Sequence, residues 1–176
     1  MKFTPAGIDG AWIIDIEPHV DERGLFARTF WRDEFARYGL PTAFVQCNIS
    51  GNRKRGTLRG MHFQAEPMAE GKLVRCQRGA IFDAMVDLRA TSPTYLRWVG
   101  FDLDEQTARA LFIPAGCAHG FQTLTDDASV FYQMTEMYEP SLARGVRWND
   151  PAFSIAWPLA DPILSPRDAT YPDFNA

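Results

Sequence analysis

Lys54-Arg55-Gly56-Thr57-Leu58-Arg59-Gly60-Met61-His62-Phe63-Gln64 decides how this chain is read. It sets one of only three histidines and several cations among glycines and apolar residues, with the alternation of a strand. A second segment, Ile113-Pro114-Ala115-Gly116-Cys117-Ala118-His119-Gly120-Phe121, carries another histidine between glycines. Histidines in such strand segments point first to proton transfer or metal binding. Outward from these segments, short β-rich runs recur at 11–16, 25–31, 43–49, 57–64, 72–78, 80–88, 96–103, 109–113, 119–124, 128–136 and 145–148. Gly, Pro, Asn and Asp groups separate them, as at Ser50-Gly51-Asn52, Pro114-Ala115-Gly116 and Thr125-Asp126-Asp127. Many short strands between turn signals predict an all-β sandwich or barrel. One early helix is predicted over 31–38, closed by Gly39 and Pro41. Ser165-Pro166-Arg167-Asp168 reads as the start of a second short helix, with Ser as N-cap and Pro at the first position.

The composition sets outer limits. With 176 residues, 46% hydrophobic and 23% charged, one domain of 1–176 with a real core is expected. A net charge of -4 gives no general electrostatic case for binding nucleic acid. No basic n-region followed by an apolar stretch is present, and no long apolar run, so neither a signal peptide nor a membrane span is expected. The three cysteines, Cys47, Cys76 and Cys117, are odd in number and widely spaced. That argues against a disulfide framework and fits a reducing cytoplasm. Each sits among apolar neighbours and reads as a small buried hydrophobe rather than a catalytic thiol.

Run 80–88 alternates, with Phe82, Ala84, Val86 and Leu88 on one face and Ile81, Asp83, Met85 and Asp87 on the other. An acid inside a barrel is costly unless paired, and Lys72, opening the preceding strand, is the natural partner for Asp83. The alternative is that both face water. Gln46 and Asn48 share a strand face, as pocket lining or as surface. His62 has competing readings. A metal-binding jelly roll needs His-x-His spacing, but Gln64 stands two residues after His62, and a third ligand would have to be His19 in a turn-like stretch. A structural histidine and a general base remain, and a base needs a carboxylate to orient it.

Taken in order, the segments resemble the dTDP-4-dehydrorhamnose 3,5-epimerase family. They are Asp21-Glu22-Arg23-Gly24 with Phe26, Val45-Gln46-Cys47-Asn48, Leu58 to Gln64, and Gly71 to Cys76. Phe82-Asp83, Asp87-Leu88-Arg89, Ser92-Pro93-Thr94, Ala118-His119-Gly120-Phe121, Phe131-Tyr132, Tyr138 with Pro140, Trp148-Asn149-Asp150-Pro151, Trp157-Pro158 and Arg167-Asp168 follow. The resemblance implies a jelly-roll (cupin-type) β-barrel, usually a homodimer whose N-terminal strands cross to the partner. It implies chemistry without metal or cofactor on a nucleotide-linked 4-keto-6-deoxyhexose. A proton next to a ketone is acidic enough for a well-placed base if the enolate oxygen is stabilised. By the family pattern His62 is that base, oriented by Asp168, and Tyr132 returns a proton from the opposite face. Lys72 stabilises charge at the 4-keto oxygen, and His119 lines the sugar site. Arg59 and Arg23 meet the diphosphate, Phe26 and Tyr138 stack on the base, and Gln46 and Asn48 are polar pocket positions.

Two consequences can be checked against structure. The resemblance puts Arg59 and His62 in one pocket, yet they are three residues apart and would face opposite ways on a regular strand, so a bulge or strong twist is expected at Gly60. The segment after Asp168 is short, leaving Pro166, Tyr171 and Phe174 to pin it. The chain departs from the family at Arg28, where a carboxylate is usual. Arginine only donates hydrogen bonds, which suits a CDP- or GDP-linked sugar, unless Arg28 turns outward or binds phosphate. Inversion at C3 or C5 alone, a non-catalytic sugar-nucleotide-binding module, and a metal-dependent oxygenase are the competing functions.

Overall fold

The computed structural model describes residues 1–174. Its strands in chain order are β1 (Lys2–Pro5), β2 (Trp12–Asp15), β3 (His19–Asp21), β4 (Gly24–Phe26), β5 (Gln46–Asn52), β6 (Leu58–Gln64), β7 (Lys72–Arg78), β8 (Ala80–Asp87), β9 (Trp98–Asp104), β10 (Ala110–Ile113), β11 (Cys117–Thr123), β12 (Ala128–Met134) and β13 (Ala143–Gly145). Two short helices, α1 (Arg32–Arg37) and α2 (Pro166–Ala169), complete the fold. A six-stranded sheet runs β1-β2-β10-β7-β12-β5 and a five-stranded sheet runs β13-β6-β11-β8-β9. Strands within each sheet pair antiparallel. The two sheets face each other without closing on one another, a flattened jelly roll of the cupin kind.

Alternation explains the layering. Val74 and Cys76 of β7, Leu111 and Ile113 of β10, and Val130 of β12 meet Ile81 and Met85 of β8 and Phe121 of β11 between the sheets. The opposite face of β8, Phe82, Ala84 and Val86, is also covered, because Val146, Phe153, Ile155 and Trp157 lie across the five-stranded sheet. A third cluster packs Phe35 of α1, Phe30, Leu40 and Phe44 against Ile14, Leu73 and Phe112 on the outside of the six-stranded sheet. Strands covered on both faces read as nearly continuous apolar runs, which is why β8 and β11 are buried almost throughout.

The strand expected over 25–31 is shorter than its pattern suggests. Only Gly24–Phe26 pairs, against His19–Asp21, and these two strands form a separate hairpin. His19 therefore lies on a strand, not in a turn. Trp31 ends the extended segment as the N-cap of α1. The sequence did not suggest β1, whose Phe3 is its one large apolar residue; it is held by register with β2 rather than by its own pattern.

Candidate active site

Gly60 shapes the site. His119 pairs with His62, and Phe121 pairs with Arg59, so two steps along β11 match three along β6. The extra residue is a bulge, and Gly60 carries a φ of 148° within it. A Cβ at Gly60 would lie 2.5 Å from the Cα of Gly120, so the two strands touch glycine to glycine. The bulge brings Arg59 and His62 into one cavity.

That cavity, of about 550 Å³, opens between the sheets. β6 and β11 of the smaller sheet bring Arg59, His62 and His119 to it, while β5, β7 and β12 of the larger sheet bring Gln46, Asn48, Lys72 and Tyr132. Tyr138 closes one side. His62 and Tyr132 thus stand on facing walls.

Asp168 lies behind His62, with its Oδ1 2.7 Å from Nε2 of the ring. A carboxylate only accepts, so the neutral imidazole carries its proton on Nε2 and leaves Nδ1 as the basic atom. The His62 side chain is 40% exposed, which leaves it open to a ligand, whereas Asp168 is 6% exposed. Burial pushes the Asp168 carboxyl up, but the bond from His62, its positive charge when protonated, and the Gly60 N–H and Ser165 together outweigh it. The group ends below the usual carboxylate range. α2 positions this acid: Ser165 caps the helix by accepting from Asp168 N at 3.1 Å, and Pro166 opens the first turn. Tyr171 sits edge-on to His62 with ring centroids 6.0 Å apart. Phe174 donates its N–H to Asp150 and packs on Phe153, so the expected anchors of this segment are in place.

His119 has its own carboxylate. Its Nε2 lies 2.9 Å from Oδ2 of the fully buried Asp83. The partner of Asp83 is therefore His119 and not Lys72, because β8 and β11 are direct neighbours while Lys72 belongs to the facing sheet. Lys72 instead pairs with Glu70 at 2.7 Å and reaches the carbonyl of His62 at 3.5 Å. The Tyr132 phenol is held above its ordinary pKa, first by burial, against the charge of Arg59 and with that of Glu70. Arg59 donates Nε to Asn52 Oδ1 at 2.8 Å, which fixes its fork and leaves its terminal nitrogens for an anion. Gln46 donates to Asn48 at 3.1 Å, and its own oxygen accepts from Tyr138 N at 3.1 Å. Gln64 is spent on backbone, donating to Met68 O and Met137 O. Among the described residues no group of three His, Cys, Asp or Glu could hold a metal.

Arg23, Phe26 and Arg28 do not join this cavity. Arg23 is exposed and ion-paired with Asp21 on the hairpin, and Phe26 is 73% exposed. Arg28 lies 4.6 Å from the ring centroid of Trp31, beside a second cavity lined by Phe26, His19 and Glu34. Three further charged residues line the main cavity without a role read from the sequence: Glu70, Arg144 and Arg167. Two carried a signal, since Glu70 shares strand parity with Lys72 and Arg167 directly precedes Asp168.

The family model described as dTDP-4-dehydrorhamnose 3,5-epimerase matches residues 5–176. This chain belongs to that family. The dTDP-4-dehydrorhamnose 3,5-epimerase of Methanothermobacter thermautotrophicus is 46% identical over 97% of this chain and 93% of the relative. A dTDP-4-dehydrorhamnose 3-epimerase of Streptomyces niveus is 42% identical over 96% of this chain and 81% of its own. The crystal structure of the 3,5-epimerase of Bacillus anthracis, with TDP and PPi bound, superposes with a TM-score of 0.95 at 38% identity, covering 98% of this chain and 99% of that one. The epimerase family thus accounts for nearly the whole chain.

Proposed function

We propose that this protein inverts C3 and C5 of a dTDP-linked 4-keto-6-deoxyglucose, giving the 4-keto-rhamnose nucleotide through enolate intermediates. One observation carries the reading: a carboxylate-oriented imidazole and a protonated phenol occupy facing walls of one cavity. Inverting a carbon requires removing a proton from one face and returning one to the other. His62 Nδ1 takes the proton, and Asp168 stabilises the imidazolium that forms. Lys72 and His119, both buried at the cavity wall, stabilise the negative charge on the 4-keto oxygen. Tyr132 returns a proton on the other side, and its raised pKa keeps it in the donor form. Arg59 binds the diphosphate, while Gln46, Asn48 and Tyr138 receive the rest of the nucleotide sugar. The TDP bound to the Bacillus anthracis relative supports dTDP over CDP or GDP, and Arg28 stacked on Trp31 then lies outside base recognition.

The working unit in this reading is a homodimer. The β3–β4 hairpin exposes Val20, Leu25 and Phe26 in one chain. The outer face of β5 and β12 also carries uncovered apolar residues, with Val45 and Ile49 exposed. Beside it, burial pushes the Arg75 guanidinium down to about 10, and its Nη1 bonds nothing among the described residues. A second copy covering that face would bring Arg23 and Phe26 to the partner's cavity, where diphosphate and base would meet them.

The test is incubation with dTDP-4-keto-6-deoxyglucose in D2O, followed by NMR. Deuterium at both C3 and C5 is expected. Label at C3 alone would make this protein a 3-epimerase, like the Streptomyces niveus relative. No label with tight dTDP binding would make it a binding module.

A further inference from the structure

Glu70, Gly71 and Lys72 enter β7 in succession, and their backbone is fastened. Gly71 N donates to Thr135 Oγ1 at 2.8 Å, and Thr135 N donates to Gly71 O at 3.0 Å. Glu70 and Lys72, two residues apart, therefore keep to one side of the chain and both line the cavity. Their side chains are 4% and 10% exposed. Glu70 Oε1 takes the Lys72 ammonium at 2.7 Å, while Oε2 is buried and accepts no hydrogen bond among the described residues.

Such a pair is a poor device for stability. Two charges lose their water, and one carboxylate oxygen gains nothing in return. The placement makes sense in the cavity instead. Lys72 has a flexible stem, and its ammonium can rest in many places. Glu70 confines it to the floor between the sheets, near the His62 carbonyl. The groups whose charge acts on Tyr132 are Arg59, from β6, and Glu70, ahead of β7. Arg59 favours phenolate and Glu70 favours phenol. Without Glu70 the cationic side chains of the cavity, among them Arg59 and Lys72, would have no opposing carboxylate at its wall.

We propose that Glu70 is a positioning residue for the epimerisation, holding the Lys72 ammonium at the ketone site and setting a negative charge opposite Arg59 beside the Tyr132 phenol. The inference rests on the epimerase reading. It adds a residue that touches no reacting atom and works through two that do.

The experiment compares wild type, Glu70→Gln, Glu70→Asp, Lys72→Met and the Glu70→Gln/Lys72→Met pair, using deuterium uptake from D2O into the keto-sugar. Wild-type exchange is the control for the reading itself; its absence would end the epimerase proposal whatever Glu70 does. With exchange present, Glu70→Gln is expected to lower kcat about 10-fold while KM moves less than about threefold. The alkaline limb of its kcat/KM profile moves to lower pH, because the phenol has lost a negative neighbour. Glu70→Asp restores the position of that limb at least in part. In the Lys72→Met background, Glu70→Gln costs less than about threefold more, because the ammonium it positions is gone. A Glu70→Gln enzyme with wild-type kcat and an unmoved alkaline limb would overturn the proposal. So would an effect undiminished by Lys72→Met, or one that tracks only a lowered Tm and a weakened TDP affinity.

Discussion

At the scale of single residues, the His62–Asp168 bond makes the sharpest claims. Asp168→Asn keeps the shape but replaces a carboxylate that fixes the Nε2–H tautomer with an amide that can bond either nitrogen state. Deuterium exchange should fall by about 10² to 10⁴ in Asp168→Asn and in His62→Asn, the range of positioned acid–base catalysis. TDP affinity, measured by calorimetry, should change little in either. Asp168 also links the site to stability. Its native pKa lies below the usual value, so its contribution is present above about pH 4 and is lost as pH falls through the native pKa. The Tm gap between wild type and Asp168→Asn is therefore expected to be widest near neutrality and to shrink below about pH 4. A gap that widens in acid would mean that Asp168 is not held as the anion. Tyr132→Phe removes the donor and leaves the base, so proton removal at C3 should survive as exchange while net inversion falls.

At the scale of elements, the bulge in β6 does the positioning. Gly60→Ala forces a Cβ against the Gly120 backbone at a φ of 148°, so it should cost about 3 kcal/mol, as a strained backbone site does. Urea melts would show the loss, and any folded fraction should bind TDP weakly because Arg59 no longer shares the cavity with His62. This feature was legible once the family resemblance required Arg59 and His62 in one pocket, because they have the wrong parity for one face of a regular strand and a glycine sits between them. Most strands were legible because turn residues bound short β-rich runs, as Arg78-Gly79 does between β7 and β8. The Asp83 partner was not legible, because strand order, which places β8 beside β11, is a property of the whole sheet. Glu70 is only weakly legible, because parity with Lys72 competes with the tendency of a loop carboxylate to face water; the Gly71–Thr135 bonds and the Lys72 ammonium hold it at the cavity. Helix α2 was readable from its cap. Ser165→Ala should cost about 1 kcal/mol and reduce kcat more than TDP affinity, since the helix holds Asp168 and not the nucleotide.

At the scale of the whole molecule, one chain falls short of the site that its own sequence suggests. The cavity holds the residues proposed as base, acid and enolate cations, but the Arg23 and Phe26 that would grip the nucleotide stand on a solvent-facing hairpin. Twofold symmetry resolves this if each hairpin serves the other chain. Complementation separates that arrangement from a hairpin that folds back on its own cavity. His62→Asn has a dead cavity and a sound hairpin, and Arg23→Ala/Phe26→Ala has the reverse. Each alone should be nearly inactive. In a mixed dimer, the cavity of the hairpin variant receives the sound hairpin of its partner, while the other cavity stays dead. Random pairing makes half the dimers mixed, so co-expression should restore roughly a quarter of wild-type exchange per cavity. A hairpin working in its own chain predicts no recovery, because no cavity would then combine a sound His62 with a sound hairpin. Purifying the mixed dimer with two different affinity tags should raise the recovery to about half, and a value that stays at background would place Arg23 and Phe26 in the chain that carries them.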